Sequence, residues 1–341
     1  MIKKDLPLEF SEPEPGAGYE RKCPPTEKGL VVSFSKNLFR VRVFSANREI
    51  ECRIKGKVLK AAEGFYNPLA PGDIVEIDNG LIVGLEERRN IFARYNQKGS
   101  SPQILASNVD LIICVTSPVS PPFRPRFLDR LLLQAEIADI PAIIACNKYD
   151  LEYNDSMEDT EERLSDYERI GIPVFRLSAR TGEGMPEFGD FIKGKFSVLT
   201  GQSGVGKSSL VNALIPGKEI KTGAINEKYD RGNHITTRSF LLDIPDGSSL
   251  DNKPITRIID TPGIRRFVPF GLNAEDLIHY MREFAPLAGK CSYGLSCWHE
   301  TEPGCKILEA VDAGVIHEDR WTSFLKIREE LSGKRKYEDN D

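Results

Sequence analysis

Apolar and polar residues alternate along the first part of the chain. Between residues 29 and 97, every second residue is apolar in several short runs, and Asn79-Gly80 separates the last two of them. Alternation of this kind buries one face of a strand, and Asn-Gly is a strong hairpin signal. The runs lie at residues 30–34, 38–44, 49–54, 73–77 and 81–85. So many short strands in about 70 residues predict a small closed barrel of the OB-fold type.

Beyond residue 104 the pattern changes to short, continuously apolar runs separated by helical periods. Such runs are typical of parallel strands that are buried on both faces. The apolar runs lie at residues 109–116, 141–146, 173–177, 196–200 and 255–259. The helical periods lie at residues 126–138, 151–170 and 208–214. Strands that alternate with helices predict an α/β domain with a parallel sheet.

These changes in pattern divide the chain of 341 residues into several parts, as its length leads us to expect. Residues 1–28 are rich in Pro, Glu and Gly and are expected to form a flexible extension. The barrel is expected over residues 29–97, and the α/β domain over residues 105–285 after a linker at 98–104. Residues 286–341 remain as a separate C-terminal domain.

The chain carries the pattern of a phosphate-binding loop. Gly201 is followed by four spacers and then by Gly206-Lys207-Ser208, between a predicted strand and a predicted helix. Glycines let the backbone approach phosphates closely, with its N–H groups facing the anion. Lys207 is expected to reach the β- and γ-phosphates as a catalytic cation, and the Ser208 hydroxyl to bind Mg²⁺. The nucleotide-binding residues expected here are Gly201, Gln202, Ser203, Gly204, Val205, Gly206, Lys207, Ser208 and Ser209.

A second nucleotide motif lies nearer the N-terminus. Asn147-Lys148-Tyr149-Asp150 comes at the carboxyl end of a predicted parallel strand, where α/β proteins form ligand sites. One carboxylate accepts hydrogen bonds from both the N1–H and the N2–H₂ of guanine, and adenine has no such pair of donors. Asp150 is therefore predicted to select guanine. The backbone N–H groups of Ser178 and Ala179, which follow the next strand, are expected to contact guanine O6.

Two segments after the phosphate-binding loop are expected to sense the γ-phosphate and Mg²⁺. Residues 216–239 are polar and lack periodicity, which suits a mobile loop that orders on the γ-phosphate. A threonine of this loop is a candidate magnesium ligand. Asp260-Thr261-Pro262-Gly263 follows the last apolar run. Asp260 is expected to hold Mg²⁺ through water, and the Gly263 N–H to contact the γ-phosphate.

The C-terminal domain contains a cluster of metal-binding residue types. Three thiolates and one imidazole form a closed tetrahedral site that is typical of structural zinc. The predicted ligands are Cys291, Cys297, His299 and Cys305. An amphipathic helix is expected at residues 318–332, packed against the zinc loop or the α/β core.

Composition limits the environment of the protein. Hydrophobic residues make up 40% of the chain, yet no apolar run approaches the roughly 18 residues of a membrane span. The first residues lack the apolar stretch of a signal peptide. Cys114 and Cys146 lie within apolar runs as core thiols, which is typical of a reducing compartment. We therefore expect a cytoplasmic protein with no membrane partner, and we expect it to be a monomer.

The net charge of −5 argues against a uniformly basic nucleic-acid binder but allows a local basic patch. The barrel is the candidate location, because its basic residues outnumber its acidic ones. The basic residues considered are Lys36, Arg40, Arg42, Arg53, Lys55, Lys57 and Lys60. The sequence leaves two interpretations open, a surface that faces RNA phosphates and an ordinary solvated strand face.

The order of the nucleotide motifs is distinctive. In most GTPases the phosphate-binding loop comes first, followed by the switch threonine, Asp-x-x-Gly, Asn-Lys-x-Asp and Ser-Ala. Here Asn147–Asp150 and Ser178–Ala179 precede the loop at 201–208, and Asp260–Gly263 follows it, which is a circular permutation. With a barrel before these motifs and a Cys/His cluster after them, the chain resembles the small-ribosomal-subunit-dependent GTPases of bacteria and plastids, the RsgA or YjeQ family. The resemblance covers about residues 30–335.

The resemblance implies an enzyme that hydrolyses GTP to GDP and phosphate with Mg²⁺. It implies stimulation by the small ribosomal subunit and a role late in the maturation of that subunit. The barrel and the zinc segment are implied to contact ribosomal RNA.

The resemblance also assigns residues in the loop at 216–239. A histidine in the family's Gly-x-His-x-Thr-Thr run is a candidate to orient the attacking water, and it falls on His234. The magnesium threonine falls on Thr237 in preference to Thr236. Ile264 stands where Ras-like GTPases carry a water-orienting glutamine, and its side chain cannot hydrogen-bond water. This difference fits slow intrinsic turnover and activation by a partner.

Two other functions remain open on the sequence alone. GTP could gate the docking of the protein on RNA, with hydrolysis serving only for release. Alternatively, the barrel and the zinc segment could regulate a messenger or transfer RNA. An ATPase is disfavoured by Asp150.

Overall fold

The fold is built on a long mixed sheet, one end of which closes into a barrel. The computed structural model describes residues 26–35, 37–46, 48–56, 64–96, 101–151, 155–215, 239–244 and 255–333. Within these residues, eleven strands form one hydrogen-bonded sheet and two more form a separate ribbon.

The barrel consists of the first five strands. They are β1 (Glu27–Ser35), β2 (Leu38–Val43), β3 (Arg48–Ile54), β4 (Ile74–Asp78) and β5 (Leu81–Leu85). Pairing runs β1-β2-β3-β5-β4 and returns from β4 to β1, so the ring is closed. Alternate residues such as Val41 and Ile82 fill the interior and are fully buried. The predicted OB-type barrel is confirmed.

A two-stranded ribbon follows the barrel. It consists of β6 (Ile91–Asn96) and β7 (Ser101–Ser107), which pair antiparallel. The expected linker at 98–104 is therefore wrong for its second half, where Ser101 begins a strand. Ser107 Oγ donates to the buried carboxylate of Asp73 at 2.6 Å, and Arg88 pairs with the same carboxylate at 2.7 Å. The Ser107 contact therefore links the ribbon to the barrel, and Arg88 neutralises the carboxylate that accepts it.

The α/β part of the sheet contains β8 (Leu111–Thr116), β9 (Ala142–Cys146), β10 (Val174–Arg176), β11 (Phe196–Gly201), β12 (Phe240–Ile244) and β13 (Thr256–Asp260). The spatial order is β10-β9-β8-β11-β13-β12, and every neighbouring pair is parallel except β12 with β13. Strands β8 and β9 are buried along their whole length, as their continuous apolar runs predict.

The helices are α1 (Pro125–Ile137), α2 (Asp155–Arg169), α3 (Met185–Ile192), α4 (Lys207–Ala213), α5 (Lys306–Asp312) and α6 (Glu318–Leu331). The helices predicted near α1, α2, α4 and α6 are confirmed within a few residues, whereas α3, α5 and strand β12 are additional. Among the described residues, no helix is both long and apolar enough to cross a bilayer.

The barrel and the α/β sheet share an edge. Strand β1 pairs antiparallel with β12 at Ser33 and Phe240. Beside this pair, Arg42 Nη1 lies 2.5 Å from Asp243 Oδ2 and Nη2 lies 3.1 Å from Glu49. Arg42 therefore lies at the junction between the barrel and the α/β part of the sheet, although its basic side chain makes it a candidate for RNA contact in the sequence.

Helix α6 packs the C-terminal segment onto α1. Phe324 and Ile327 are buried in one cluster with the three cysteines of residues 291–305, and Leu133 of α1 belongs to the same cluster. The packing predicted for this helix is confirmed.

Candidate functional site

The nucleotide motifs converge at one edge of the sheet. Residues 147–150 follow β9, Ser178 follows β10, the loop at 201–206 joins β11 to α4, and Asp260 ends β13. All these strands are parallel neighbours in the sheet or are separated only by β8. Their carboxyl ends therefore meet, and motifs from distant parts of the chain form one site.

The phosphate-binding loop has the backbone that its glycines predict. Gly204 and Gly206 have φ of +87° and +92°, a region that residues with a Cβ adopt rarely. A Cβ on Gly206 would lie 2.3 Å from Asn147 Nδ2. A Cβ on Gly263 would lie 2.6 Å from Ser203 Cα, so the Asp-x-x-Gly segment presses directly on the loop.

Asn147 joins three of the motifs. Its Nδ2 donates to the Val205 carbonyl at 2.9 Å, and its Oδ1 accepts from the Ala179 N–H at 3.0 Å. Because the side chain is buried, both bonds are shielded from water. Asn147 therefore fixes the phosphate-binding loop and the Ser178–Ala179 turn relative to each other.

Two buried charges lie beside the phosphate-binding loop. Lys207 Nζ donates to the carbonyls of Gly201 and Gln202 at 3.0 and 2.7 Å, and burial lowers its pKa to about 8. Burial raises the pKa of Asp260 to about 6, with the Lys207 charge acting in the opposite direction. Both shifts show that burial disfavours the charged form of each group. A phosphate beside Lys207 and a divalent cation beside Asp260 would each stabilise that charged form.

The carboxylate of Asp260 is suited to a cation. Ser208 Oγ donates to Asp260 Oδ2 at 3.3 Å, while Oδ1 is buried without a hydrogen-bond partner among the described residues. An unpartnered buried carboxylate oxygen beside a serine hydroxyl offers the hard oxygen ligands that Mg²⁺ prefers.

Asp150 lies in a cavity of about 290 Å³ at the end of the sheet. Ser178 Oγ donates to Asp150 Oδ1 at 2.5 Å, and together with the Arg180 guanidinium it lowers the pKa of Asp150. The lining residues are Ser120, Asn147, Lys148, Asp150, Leu151, Ala179, Arg180, Gly206 and Ser209.

Sequence reasoning missed Ser120, Leu151 and Arg180 in this lining. Arg180 directly follows the Ser-Ala pair, so its position was a usable signal, whereas nothing in the sequence pointed to Ser120. Tyr149 does not line the cavity, because its hydroxyl contacts Glu161 on α2. Lys148 Nζ bonds the carbonyls of Ser120 and Gly204 at 2.5 and 2.7 Å.

Three predicted residues of the switch loop, His234, Thr236 and Thr237, lie outside the described residues. Ile264 is described, and it is 3% exposed within the main hydrophobic core. Its burial agrees with the expectation that this side chain does not position a water molecule.

The predicted zinc ligands form one buried cluster. The donor atoms of Cys291, Cys297, His299 and Cys305 all lie within 4.8 Å of one another. The Cys291 and Cys305 sulfurs are 3.8 Å apart, and His299 Nδ1 lies 3.5 Å from the first and 3.3 Å from the second. Zn–S and Zn–N bonds of about 2.3 and 2.0 Å in a tetrahedron place ligands at about these separations.

The surroundings of the cluster favour metal ligation. Burial lowers the pKa of His299, which favours the neutral imidazole that binds metals, and raises the pKa of Cys297 to about 12. A thiol of that pKa ionises at neutral pH only beside a strong cation. The Lys306 N–H donates to Cys291 Sγ at 3.3 Å, and Trp321 Nε1 donates to the His299 carbonyl at 2.8 Å.

Comparison with known proteins agrees with this geometry. Residues 85–269 match the family model described as RsgA GTPase. The chain is 36% identical over 310 residues to "Small ribosomal subunit biogenesis GTPase RsgA" of Bacteroides fragilis, covering 89% of this chain and 96% of the relative.

Two solved structures are also similar. YjeQ from Thermotoga maritima has a TM-score of 0.65 and 30% identity, and the match covers 91% of this chain and 100% of that one. YloQ, described as a circularly permuted GTPase, has a TM-score of 0.62 at 23% identity over 94% of this chain and 100% of that one, which supports the fold.

Proposed function

The chain belongs to the RsgA GTPase family and is a GTP hydrolase, and from this premise we propose that it acts in the maturation of the small ribosomal subunit. Its relative from Bacteroides fragilis bears a name that states this role. The single observation that carries the nucleotide assignment is the meeting of Asn147–Asp150, Ser178–Ala179, the phosphate-binding loop and Asp260–Gly263 at one sheet edge.

We assign the guanine end of the site to Asp150, Asn147, Lys148 and the turn at Ser178–Ala179. Asp150 accepts from the N1–H and N2–H₂ of guanine, and adenine would leave this carboxylate without those donors. Asn147 holds the turn and the phosphate-binding loop at a fixed separation through its two buried hydrogen bonds. The assignment rests on these contacts and on the cavity that Asp150 shares with Ala179.

The phosphate end is assigned to residues 201–209. On binding GTP, Lys207 exchanges the Gly201 and Gln202 carbonyls for phosphate oxygens, and its charge stabilises the charge that builds up on the leaving and transferred groups. Ser208 and Asp260 would hold Mg²⁺, with Thr237 as the proposed third residue. Mg²⁺ supplies neutralisation of the β- and γ-phosphate charge when bound.

The attacking water needs a positioning group other than residue 264. Ile264 is buried and apolar, so its side chain offers no hydrogen bond. His234 is the proposed alternative. We propose that His234 positions the water only when the small ribosomal subunit is bound, so that turnover is slow without the subunit.

The metal centre is proposed to hold one structural zinc ion through Cys291, Cys297, His299 and Cys305. The donor set is complete with four residues, and its distances and burial fit a closed tetrahedral site. Zinc there would stabilise the loop at 291–305, which packs against Phe324 and Ile327 of α6.

The proposed partner surface includes the barrel and the zinc segment. Arg42 is engaged at the junction with β12, whereas Arg53 and Lys55 are exposed at the end of β3. Exposed cations of this kind attract RNA phosphates in a salt-dependent way. A cytoplasmic location follows from the proposed ribosomal partner.

The test is GTP hydrolysis by the purified protein with and without small ribosomal subunits. We expect low basal turnover and strong stimulation by small subunits, and no stimulation by large subunits. The Lys207→Ala variant serves as the control for contaminating hydrolases. Normal GTP binding with no stimulation would overturn the proposed partner and favour a regulator of another RNA.

A further inference from the structure

The guanine-selecting carboxylate already has partners within the protein. Arg180 Nε donates to Asp150 Oδ2 at 2.6 Å, and Arg180 Nη2 lies 2.5 Å from the same oxygen. Ser178 Oγ donates to the other oxygen at 2.5 Å. Both oxygens of Asp150 are therefore paired internally.

The Arg180 side chain offers the same donor pattern as a guanine base. In a guanidinium group, Nε–H and Nη–H flank one trigonal carbon, and in guanine N1–H and N2–H₂ flank C2 in the same way. Each presents two nearly parallel N–H groups to a carboxylate. Guanine and Arg180 therefore compete for the same carboxylate, that of Asp150.

The two partners of this ion pair differ in their freedom to move. The Asp150 side chain is 8% exposed and is held by Ser178, whereas the Arg180 side chain is 74% exposed. An ion pair with one solvent-exposed member is weak, because water competes for the charge. Arg180 can therefore leave Asp150 for solvent at small cost, while Asp150 stays in place for the next partner.

We infer that Arg180 is an internal competitor of guanine for Asp150. Its guanidinium occupies the carboxylate until a guanine base displaces it into solvent, so that Arg180 weakens nucleotide affinity and slows nucleotide association. The inference rests on the guanine site proposed above and adds a residue that regulates its occupancy.

The competitor role predicts an effect opposite in sign to simple electrostatics. GDP and GTP are polyanions, so the loss of an exposed cation near their site is expected to weaken binding slightly. Competition predicts that the same loss strengthens binding, because guanine no longer has to displace an ion pair. The sign of one affinity change therefore separates the two roles.

The experiment measures the binding of N-methylanthraniloyl-GDP to the full-length protein by fluorescence. In Arg180→Ala we expect the dissociation constant to fall by about two- to five-fold, the range expected for an exposed ion pair, mostly through faster association. The gain should shrink at high ionic strength, which screens the ion pair. Lys193→Ala removes another exposed cation, at the C-terminal end of α3, and should leave affinity unchanged.

A second background tests whether the effect passes through Asp150. In Asp150→Asn, the amide can accept from N1–H and donate to the 2-oxo group of xanthine, so xanthosine diphosphate becomes the ligand. Asparagine offers Arg180 no ion pair. Adding Arg180→Ala to Asp150→Asn should therefore give no gain in affinity for xanthosine diphosphate, and the two substitutions should be non-additive.

Unchanged or weaker GDP binding by Arg180→Ala would overturn the inference while leaving the guanine site intact. An equal gain in the Asp150→Asn background would also overturn it, because the effect would not involve the carboxylate. If the wild-type protein fails to bind GDP, the proposed nucleotide site itself is wrong, and this result is distinct from the other two.

Discussion

The proposed nucleotide site and the proposed zinc site are assembled in opposite ways. The nucleotide site collects residues from Asn147 to Gly263, which the parallel sheet brings to one edge. The metal cluster takes all four of its residues from the stretch between Cys291 and Cys305. The first depends on the topology of the whole α/β domain, and the second depends on a local loop.

The two sites also differ in what supports their polar groups. Asn147 bonds Val205 and Ala179, and Ser178 holds Asp150, so the proposed nucleotide site keeps its shape through the fold. In the described structure, the loop that carries the Cys/His cluster contains one short 3₁₀ turn, at Gly294–Ser296, before α5 begins. Its four donor atoms lie within 4.8 Å of one another, and its hydrogen bonds to the helices come from the Lys306 N–H and from Trp321 and Arg328 of α6. The fold therefore forms the proposed nucleotide site in advance of its ligand, whereas we expect the cysteine loop to depend on the proposed zinc ion for its shape.

The largest expected effect is that of metal removal. Structural zinc stabilises small domains by roughly 10–16 kcal/mol, so a strong chelator should unfold residues 291–333 locally. Hydrogen exchange followed by mass spectrometry should show loss of protection there, with β8, β9 and β11 still protected. As a control, Cys52→Ser alters a buried thiol of the barrel and should leave the zinc content at one per chain. Unchanged protection of 291–333 after complete zinc removal would contradict the comparison.

The next effect concerns the buried charges that join the two regions. Arg320 of α6 lies 2.8 Å from Asp129 of α1 and 2.5 Å from Glu283, and all three side chains are at most 5% exposed. Arg320→Met removes the ion-pair partner of buried Glu283 and leaves Asp129 with Tyr167 and with Arg163 at 3.7 Å. The substitution should lower the free energy of unfolding by about 3–5 kcal/mol.

Arg282→Met provides the matched control for the buried pair. Arg282 and Glu136 form an ion pair at 2.6 Å, but both side chains are more than a third exposed. Denaturant unfolding should show a change of at most about 1 kcal/mol for this variant. Equal effects of the two substitutions would show that burial of the Arg320 network does not determine its contribution.

Lys207→Ala should separate function from stability in the nucleotide site. We expect kcat/KM for GTP to fall by at least about 100-fold, because a buried charge that acts on the phosphates is lost. The thermal unfolding temperature of the nucleotide-free protein should not fall, since burial already disfavours the charged form of this lysine. A large drop in that temperature would mean that Lys207 supports the fold.

The smallest effect is a dependence of affinity on pH. Burial places the pKa of Lys207 at about 8, so above that pH the free site holds a neutral amine that must take up a proton to bind phosphate. Affinity for GDP should be nearly constant between pH 7 and about 8 and then fall by up to about ten-fold per pH unit. Isothermal titration should detect proton uptake on binding above pH 8. Constant affinity up to pH 9.5 would contradict the assigned pKa.

Local patterns predicted the parts of the structure that depend on local sequence. Alternation gave the five barrel strands, and the spacing of Gly201, Gly206 and Lys207 gave the loop between β11 and α4. The spacing of the Cys and His residues predicted the four residues of the proposed zinc site. Each signal lies within a few dozen residues and reflects a geometric requirement of the backbone or of the ligand.

The features that the sequence patterns did not predict involve residues that are distant from each other in the sequence. Residues 98–104 resemble a linker because most of them are polar. Ser101–Ser107 nevertheless forms strand β7, because it pairs with β6. Arg320 and Asp129 are 191 residues apart in the sequence, so no local pattern predicts their ion pair. Arg180 was overlooked because its role arises only where the Ser178 turn meets Asp150.

The most direct test of the assembled nucleotide site is the base preference of Asp150→Asn. We predict that kcat/KM for GTP falls by at least about 100-fold while activity with xanthosine triphosphate rises, so that the preference reverses. Such a reversal requires Asp150 to contact the base in the same site in which Lys207 contacts the phosphates. An unchanged preference for GTP over xanthosine triphosphate would contradict the account, because guanine would then be selected elsewhere.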